Sequence, residues 1–513
     1  MQSYFEAQFD ELERSGIKVQ PPLWMEYQRS IQAAQSKLEE CTEAKERKNI
    51  KETISALTKL FLEIYHTKLA DLYPNLLFET GEDSTYWLYN KDTGVYEEMN
   101  ASTVRGLLLR MIMRDGITPT VAWVRECLAR YRAEYQNRGH HYNDFDNEFD
   151  MFHAKNGWVD LTTYKMEPHT PDRLSRFVSP TTYDPKATCP LYDNMLDAVF
   201  PIAKDAVRVI DQFSGYILTG DIHLGKMLII QSKPGFGKST LIESWVHVLG
   251  LGQLAIKKAL SSLSSDGERF AGQKMMGKTL CWFDESRAKN EEFGTKLETL
   301  ITGTHIPDIE RTGIQGLVDA ENHIKCVLTA NKLPQHKEDG VFRRIIYIRF
   351  PENVPTITDK MEEDPYMMQK LKAEASGILN RMIRGLKDLR KMGKFTVIAG
   401  EAEMIEEMKI ASDVLTEFMY TYFDPDPKNE HWYSTEDLFK AYSKSDFYVG
   451  KRYIQSVKSF AYHIRERAPS EYQQTLIPRQ DGSIRGWTGI KLKKEYTMND
   501  VSKEIVLSTY RDF

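Results

Sequence analysis

The chain is short of the features that mark secreted, membrane-spanning or zinc-stapled proteins. Its five cysteines, Cys41, Cys127, Cys189, Cys281 and Cys326, lie far apart with no Cys-x-x-Cys pair. That spacing fits a reducing cytoplasm and argues against a zinc-binding module. No run approaches eighteen apolar residues, and the opening from Met1 to Glu6 has no basic and apolar leader. The expectation is a soluble, cytoplasmic chain with no membrane partner. Charge of one sign is not in excess either: 68 Lys and Arg stand against 74 Asp and Glu. At 41% apolar and 28% charged, the composition is too balanced for disorder. The 513 residues hold enough material for three or four domains.

What is present is more specific. Met227 to Ile230 is a short apolar run of the kind that fills a parallel sheet, and Ser232, Lys233, Pro234, Gly235, Phe236, Gly237, Lys238, Ser239 and Thr240 follow it. Gly235 and Gly237 let the backbone curl so that its N–H groups face phosphate oxygens. Lys238 is placed to reach the β- and γ-phosphates of ATP, and the Ser239 hydroxyl to sit on Mg²⁺. A helix from Thr240 to Leu249 would turn its positive end to the same anion. About forty residues on, Thr279 to Phe283 is a strand ending in Asp284 and Glu285. Asp284 would hold the water shell of Mg²⁺, and Glu285 would orient and deprotonate the attacking water.

A third strand, Ile324 to Leu328, leads to Asn331, where a polar sensor would touch the γ-phosphate or its attacking water. Arg343 and Arg344 then open a fourth strand, and such an arginine can reach a γ-phosphate bound by a neighbouring subunit. Spacing does not settle which of the two does so.

In this order the motifs resemble the superfamily 3 helicases of viruses, phages and plasmids. Leu297 to His305 and then Glu310-Arg311 resemble that family's additional motif. Phe152 to Leu161, Tyr183-Asp-Pro185, Cys189-Pro190 and Gln212 to Gly220 resemble the domain that precedes the motor in the poxvirus and phage primase-helicase type. The likeness spans roughly residues 70 to 350. Ser232 stands where the strict loop pattern has Gly, and Phe236 where relatives usually have Asn. Backbone amides do most of the phosphate binding, so ATP binding is expected to survive both departures.

The resemblance implies an α/β fold: an AAA+ P-loop ATPase core over residues 190–355, a mixed α+β domain over 71–189 and a helical lid or linker over 356–423. Residues 1–70 are a helical N-terminal segment, either a hairpin or an oligomerisation collar. Residues 424–513, opened by Asp424-Pro-Asp-Pro427, form a winged-helix-like domain in which helix, helix and hairpin follow in turn. It also implies a ring, normally a hexamer, moving 3′ to 5′ on single-stranded or forked DNA. A separate primase or polymerase partner is expected, because 70 residues cannot hold a primase. Asp144-Phe-Asp146 lacks a matching second acid and reads as an acidic loop.

A ring motor needs positive charge only in its channel, so the overall balance of charge does not exclude DNA. Arg311 and Lys325 are the cations in and beyond a hairpin expected between Ile306 and Asn322. Between Lys451 and Lys494, ten Lys or Arg stand against three acids, among them Lys451, Arg452, Lys458, Arg485 and Lys493. This stretch suits DNA contact, including origin duplex. An origin-binding initiator or helicase loader, using ATP as a switch, is the second reading.

Overall fold

The structure is a computed structural model. It describes residues 22–81, 85–115, 117–233, 235–259, 271–285, 295–310, 317–331, 342–351, 364, 366–405, 414–445, 456–467, 473–479 and 482–493. Two units divide the chain, residues 1–183 and 184–513. Among the described residues no helix is long and apolar enough to cross a membrane.

The first unit begins with helices α1 (Leu23–Glu40), α2 (Ala44–Glu63) and α3 (Tyr65–Leu72). Strands β1 (Leu76–Glu79), β2 (Thr85–Asn90) and β3 (Val95–Asn100) follow, then α4 (Ala101–Arg114), α5 (Val121–Glu134) and β4 (Gly139–His140). Their sheet order is β3-β2-β1-β4. A hairpin joins β2 and β3 around Lys91-Asp92, with Asn90 opposite Val95. Asn100 and Thr120 cap α4 and α5 by accepting from the N–H groups of Thr103 and Trp123. A smaller sheet holds β5 (Met151–Ala154), β6 (Gly157–Asp160) and β7 (Met166–Glu167).

Trp24, Ile31, Phe61 and Leu69 share one core with Leu76, Tyr86, Val104 and Leu108. The domain boundary expected at residue 70 therefore falls inside a single core: the apolar stripes of the N-terminal helices are covered by the elements that follow. At its centre Lys68 is fully buried, donating to Asp115 and Gln28 at 2.7 Å each. In the acidic loop, Asp146 pairs with buried Arg176 at 2.7 Å, so its charge is spent on the fold.

The second unit opens with α6 (Pro190–Val199) and α7 (Lys204–Tyr216). Then come β8 (Met227–Gln231), α8 (Lys238–Leu249), β9 (Ala255–Lys258), α9 (Ala271–Met275), β10 (Leu280–Glu285) and α10 (Thr295–Thr302). The hairpin β11 (His305–Glu310) and β12 (Leu317–Glu321) precedes β13 (Lys325–Ala330) and β14 (Ile345–Arg349). Among the described residues β14-β8-β13-β10-β9 form one sheet, every pairing parallel. Met227 to Ile230 and Cys326 to Leu328 are buried throughout, as a sheet covered on both faces requires.

Helices α11 (Met367–Ala373) and α12 (Ala375–Met392) occupy the segment expected as lid or linker. Arg381 on α12 pairs with Asp193 of α6 and Asp211 of α7, so α12 is bound to the helices that precede the sheet. The last group comprises α13 (Val414–Tyr422), β15 (Phe423–Pro425), β16 (Trp432–Ser434), α14 (Thr435–Lys444), α15 (Val457–Arg467), β17 (Gln473–Arg479), β18 (Gly482–Thr488) and β19 (Ile490–Leu492). Leu415 and Phe418 of α13 pack in one core with Leu438, Phe460 and Trp487. That core begins ahead of the boundary expected at residue 424, because α13 supplies one of its walls. Ser434 caps α14 by accepting from the Asp437 N–H at 3.0 Å.

Candidate nucleotide-binding site

Register brings the sequence motifs to one end of the sheet. Ala330 lies opposite both Gln231 and Glu285, so the ends of β8, β13 and β10 form a single row. Beyond β8 the chain turns through Gly235 and Gly237, at φ of 85° and 82°, a left-handed region that favours glycine. It enters α8 with Gly237 in the cap position, leaving the first N–H groups of the helix without intrahelical acceptors. Pro234 lies outside the described residues. Ser232 is buried and turns its hydroxyl to the Lys233 carbonyl at 2.9 Å, while Lys233 is exposed and Phe236 half-buried. Ser239 and Thr240 are half-buried in the first turn of α8.

Lys238 is only 6% exposed, and its Nζ donates to Asn331 Oδ1 at 2.5 Å and, at 3.5 Å, to the Ser232 carbonyl. Burial lowers its pKa, and the Asp284 carboxylate opposes that shift. The Lys and the Asn, 93 residues apart, thus meet beneath the loop. Asp284 is held through both oxygens. Thr329 Oγ1 donates to Oδ1 at 3.3 Å, and Lys257 Nζ lies 2.8 Å from Oδ2. Glu285 ends β10, and its side chain lies outside the described residues.

The donors available to a cation here, the Asp284 carboxylate and the Ser239 hydroxyl, are hard oxygens of the kind Mg²⁺ takes. Lys257 Nζ pairs with one oxygen of Asp284, and Asp284 and Ser239 are the residues that could hold such a metal. Among the described residues no group of three or more His, Cys, Asp or Glu forms a metal cluster.

Three residues near the acid were not read from the sequence: Lys257, Trp282 and Thr329. Trp282 lies two residues before Asp284 on the same strand face, and its Nε1 donates to Thr329 Oγ1 at 2.9 Å. Gln231 was missed as well. Its Nε2 donates to the Asn331 carbonyl at 3.3 Å, and its Oε1 accepts from the Tyr347 hydroxyl. The period-two spacing of Trp282 and Thr329 before Asp284 and Asn331 was the available signal; for Lys257 there was none.

Arg343 and Arg344 lie at the other end of the sheet. The Arg344 carbonyl accepts from Met227 N–H at the start of β8, four residues of strand, or about 13 Å, from the loop. Arg343 is exposed, and its carbonyl accepts from Lys226 Nζ at 2.6 Å. Arg344 is half-buried, its guanidinium against Gly225.

The candidate DNA contacts separate into three groups. Arg311, Lys451 and Arg452 lie outside the described residues. Lys458 on α15 and Arg485 on β18 are exposed, and Lys493 donates to the Tyr420 carbonyl at 2.6 Å. Lys325 corrects the expectation of a DNA-facing cation. It is 1% exposed, donates to the carbonyls of Thr219 and His323, and burial brings its pKa down to about 7. As the first residue of a buried strand it has no surface to offer.

With this geometry in place, two family descriptions match the chain. Residues 64–201 match "D5 N terminal like", and residues 230–344, from the end of β8 to the paired arginines, match a family of unknown function (DUF5906). No curated protein matches the chain. Among solved structures, the apo structure of the NrS-1 C terminal region is similar at 14% identity and a TM-score of 0.48. It covers 81% of this chain and 96% of that one. An A form apo structure of the same region gives 13% identity and a TM-score of 0.46, with 80% and 95% covered. Neither lends a residue role to this chain.

Proposed function

We propose that the chain is an ATP-driven DNA helicase of the superfamily 3, AAA+ type, acting in the replication of a phage, plasmid or other mobile element. The observation that carries this reading is the meeting of Lys238 and Asn331 beneath a glycine turn, with Asp284 on the neighbouring strand. The strand order β14-β8-β13-β10-β9, with the turn after β8, favours an AAA+ core. The D5 N terminal like match ahead of it supports the primase-helicase relationship.

In this reading the backbone N–H groups of residues 235–240 and the Lys238 ammonium bind the phosphates of ATP, and Asn331 holds the γ-phosphate or its attacking water. Glu285 takes the proton of that water. Ser239 and Asp284 would hold Mg²⁺, which would supply positive charge against the phosphate oxygens. Lys238, now resting on a neutral amide, exchanges that acceptor for an anion. The arginines lie too far from their own loop to serve it, which favours action on a neighbouring subunit in a ring, a hexamer by resemblance. Arg343 is the exposed one and is assigned the contact; Arg344 supports the turn beneath it. The exposed Lys458 and Arg485, on a helix and an adjoining hairpin strand, suit a winged-helix-like DNA contact.

Strand displacement on a tailed duplex with Mg²⁺ and ATP tests the proposal. Unwinding that Lys238→Ala and Glu285→Gln both abolish is the expected result, with the 3′-tailed substrate preferred. ATP-dependent DNA binding without unwinding would transfer the assignment to an origin-binding initiator or helicase loader.

A further inference from the structure

The contact between Lys257 and Asp284 has no place in the chemistry just described. Lys257 sits on β9, opposite Trp282 of β10, and so on the face that also carries Asp284. Its Nζ lies 2.8 Å from Asp284 Oδ2 and 3.9 Å from the centre of the Trp282 ring. Two independent attractions therefore fix the ammonium: a carboxylate at hydrogen-bond distance and an aromatic face. Thr329, which receives the Trp282 N–H, holds the other carboxylate oxygen. Asp284 is thus aimed, and its charge paired, by residues of the chain itself.

We propose that Lys257 is a resident counter-cation of the metal-binding carboxylate, which the incoming metal must displace. The inference rests on the nucleotide-binding reading of this site and adds a residue to it. With its side chain 41% exposed, Lys257 has solvent to swing into. Asp284, at 19%, has its charge paired by Lys257, and a divalent ion would take that pairing over. Lys257 is a positioning residue here; it touches neither water nor phosphate in the reaction. Its consequence is a raised metal requirement, which ties nucleotide loading to the metal rather than to free ATP.

The test is a Mg²⁺ titration of the binding of a fluorescent ATP analogue to the full chain, in native form and as Lys257→Gln and Lys257→Arg. Half-saturation of Lys257→Gln at roughly fivefold lower Mg²⁺ is expected for loss of a half-exposed pair, and the gap should shrink in high salt. Lys257→Arg, which keeps the charge, should stay near the native value. Mn²⁺ binding followed by electron paramagnetic resonance gives the same comparison without nucleotide chemistry. An unchanged or higher Mg²⁺ requirement for Lys257→Gln overturns the inference. So does weaker analogue binding at every Mg²⁺ level, including with chelator present, since that would make Lys257 a phosphate ligand. No binding by the native chain at any Mg²⁺ level would overturn the phosphate-loop reading itself, and this inference with it.

Discussion

Two buried lysines, one in each unit, show how differently the same group is used. Lys68 in the first unit has a carboxylate, an amide oxygen and three aromatic rings around it: Asp115 and Gln28 at 2.7 Å, and Trp24, Phe61 and Tyr65 with ring centres within 5.4 Å. Tyr65 adds its hydroxyl to Asp115 at 2.7 Å. Among the described residues, Lys238 in the second unit donates to neutral oxygens, on Asn331 and Ser232, at the N-terminal end of α8, with the Asp284 carboxylate acting on it at longer range. A lysine with its own carboxylate is part of the architecture. A lysine buried against neutral acceptors at a helix N-terminus is, in the proposed reading, the group that an anionic ligand would engage.

The largest expected effect lies outside both clusters. Arg343→Ala should lower steady-state ATP hydrolysis by about 10³-fold or more while leaving analogue binding intact, as removal of a finger in trans does. Mixing it with Lys238→Ala chains should restore some turnover, since each supplies what the other lacks. Next, Lys68→Ala should cost about 3–5 kcal/mol in denaturant unfolding of the full chain, because Asp115 is left buried without its counter-charge. Nucleotide affinity in the folded fraction should not move, which separates the architectural lysine from the site lysine. Asn331→Ala should lower hydrolysis by roughly 10²-fold with little change in melting temperature.

The last effect is a pH slope in the first unit. His153 is 3% exposed, stacked on Trp158 and bonded through Nε2 to His169 and through Nδ1 to the Phe177 carbonyl. Burial, with the neighbouring His169, brings its pKa from 6.5 down to about 3. The unfolded chain therefore takes up this proton first as pH falls. The stability that His153 contributes is complete above pH 6.5 and is lost progressively toward pH 3. His153→Gln should flatten that acid slope in thermal melts recorded between pH 6.5 and 4; an unchanged slope would assign it to other groups.

The contrast also explains what could be read from the sequence. The loop, the Asp284-Glu285 pair and Asn331 were legible because each ends an apolar strand, and strand ends of one parallel sheet share an edge. Gln231 and Lys257 were not, because what they touch depends on register with β14 and β10, which no local pattern encodes. Lys325 was misread because a charge was taken as a surface signal, whereas backbone carbonyls from Thr219 and His323 satisfy it inside. The boundaries expected at 70 and 424 followed the end of a helical pattern and the Asp424-Pro-Asp-Pro427 turn signal. The cores instead join helices to sheets across both points, as Phe61 with Tyr86 and Phe418 with Trp487 demonstrate.

The most direct test of the central claim is calorimetric titration of Mg²⁺·ATP into the native chain and into Lys238→Ala, with folding of both checked by thermal melting. The account predicts a saturable site in the native chain, lost in Lys238→Ala with no fall in melting temperature. Equal binding by both chains, or none by the native one, would contradict it.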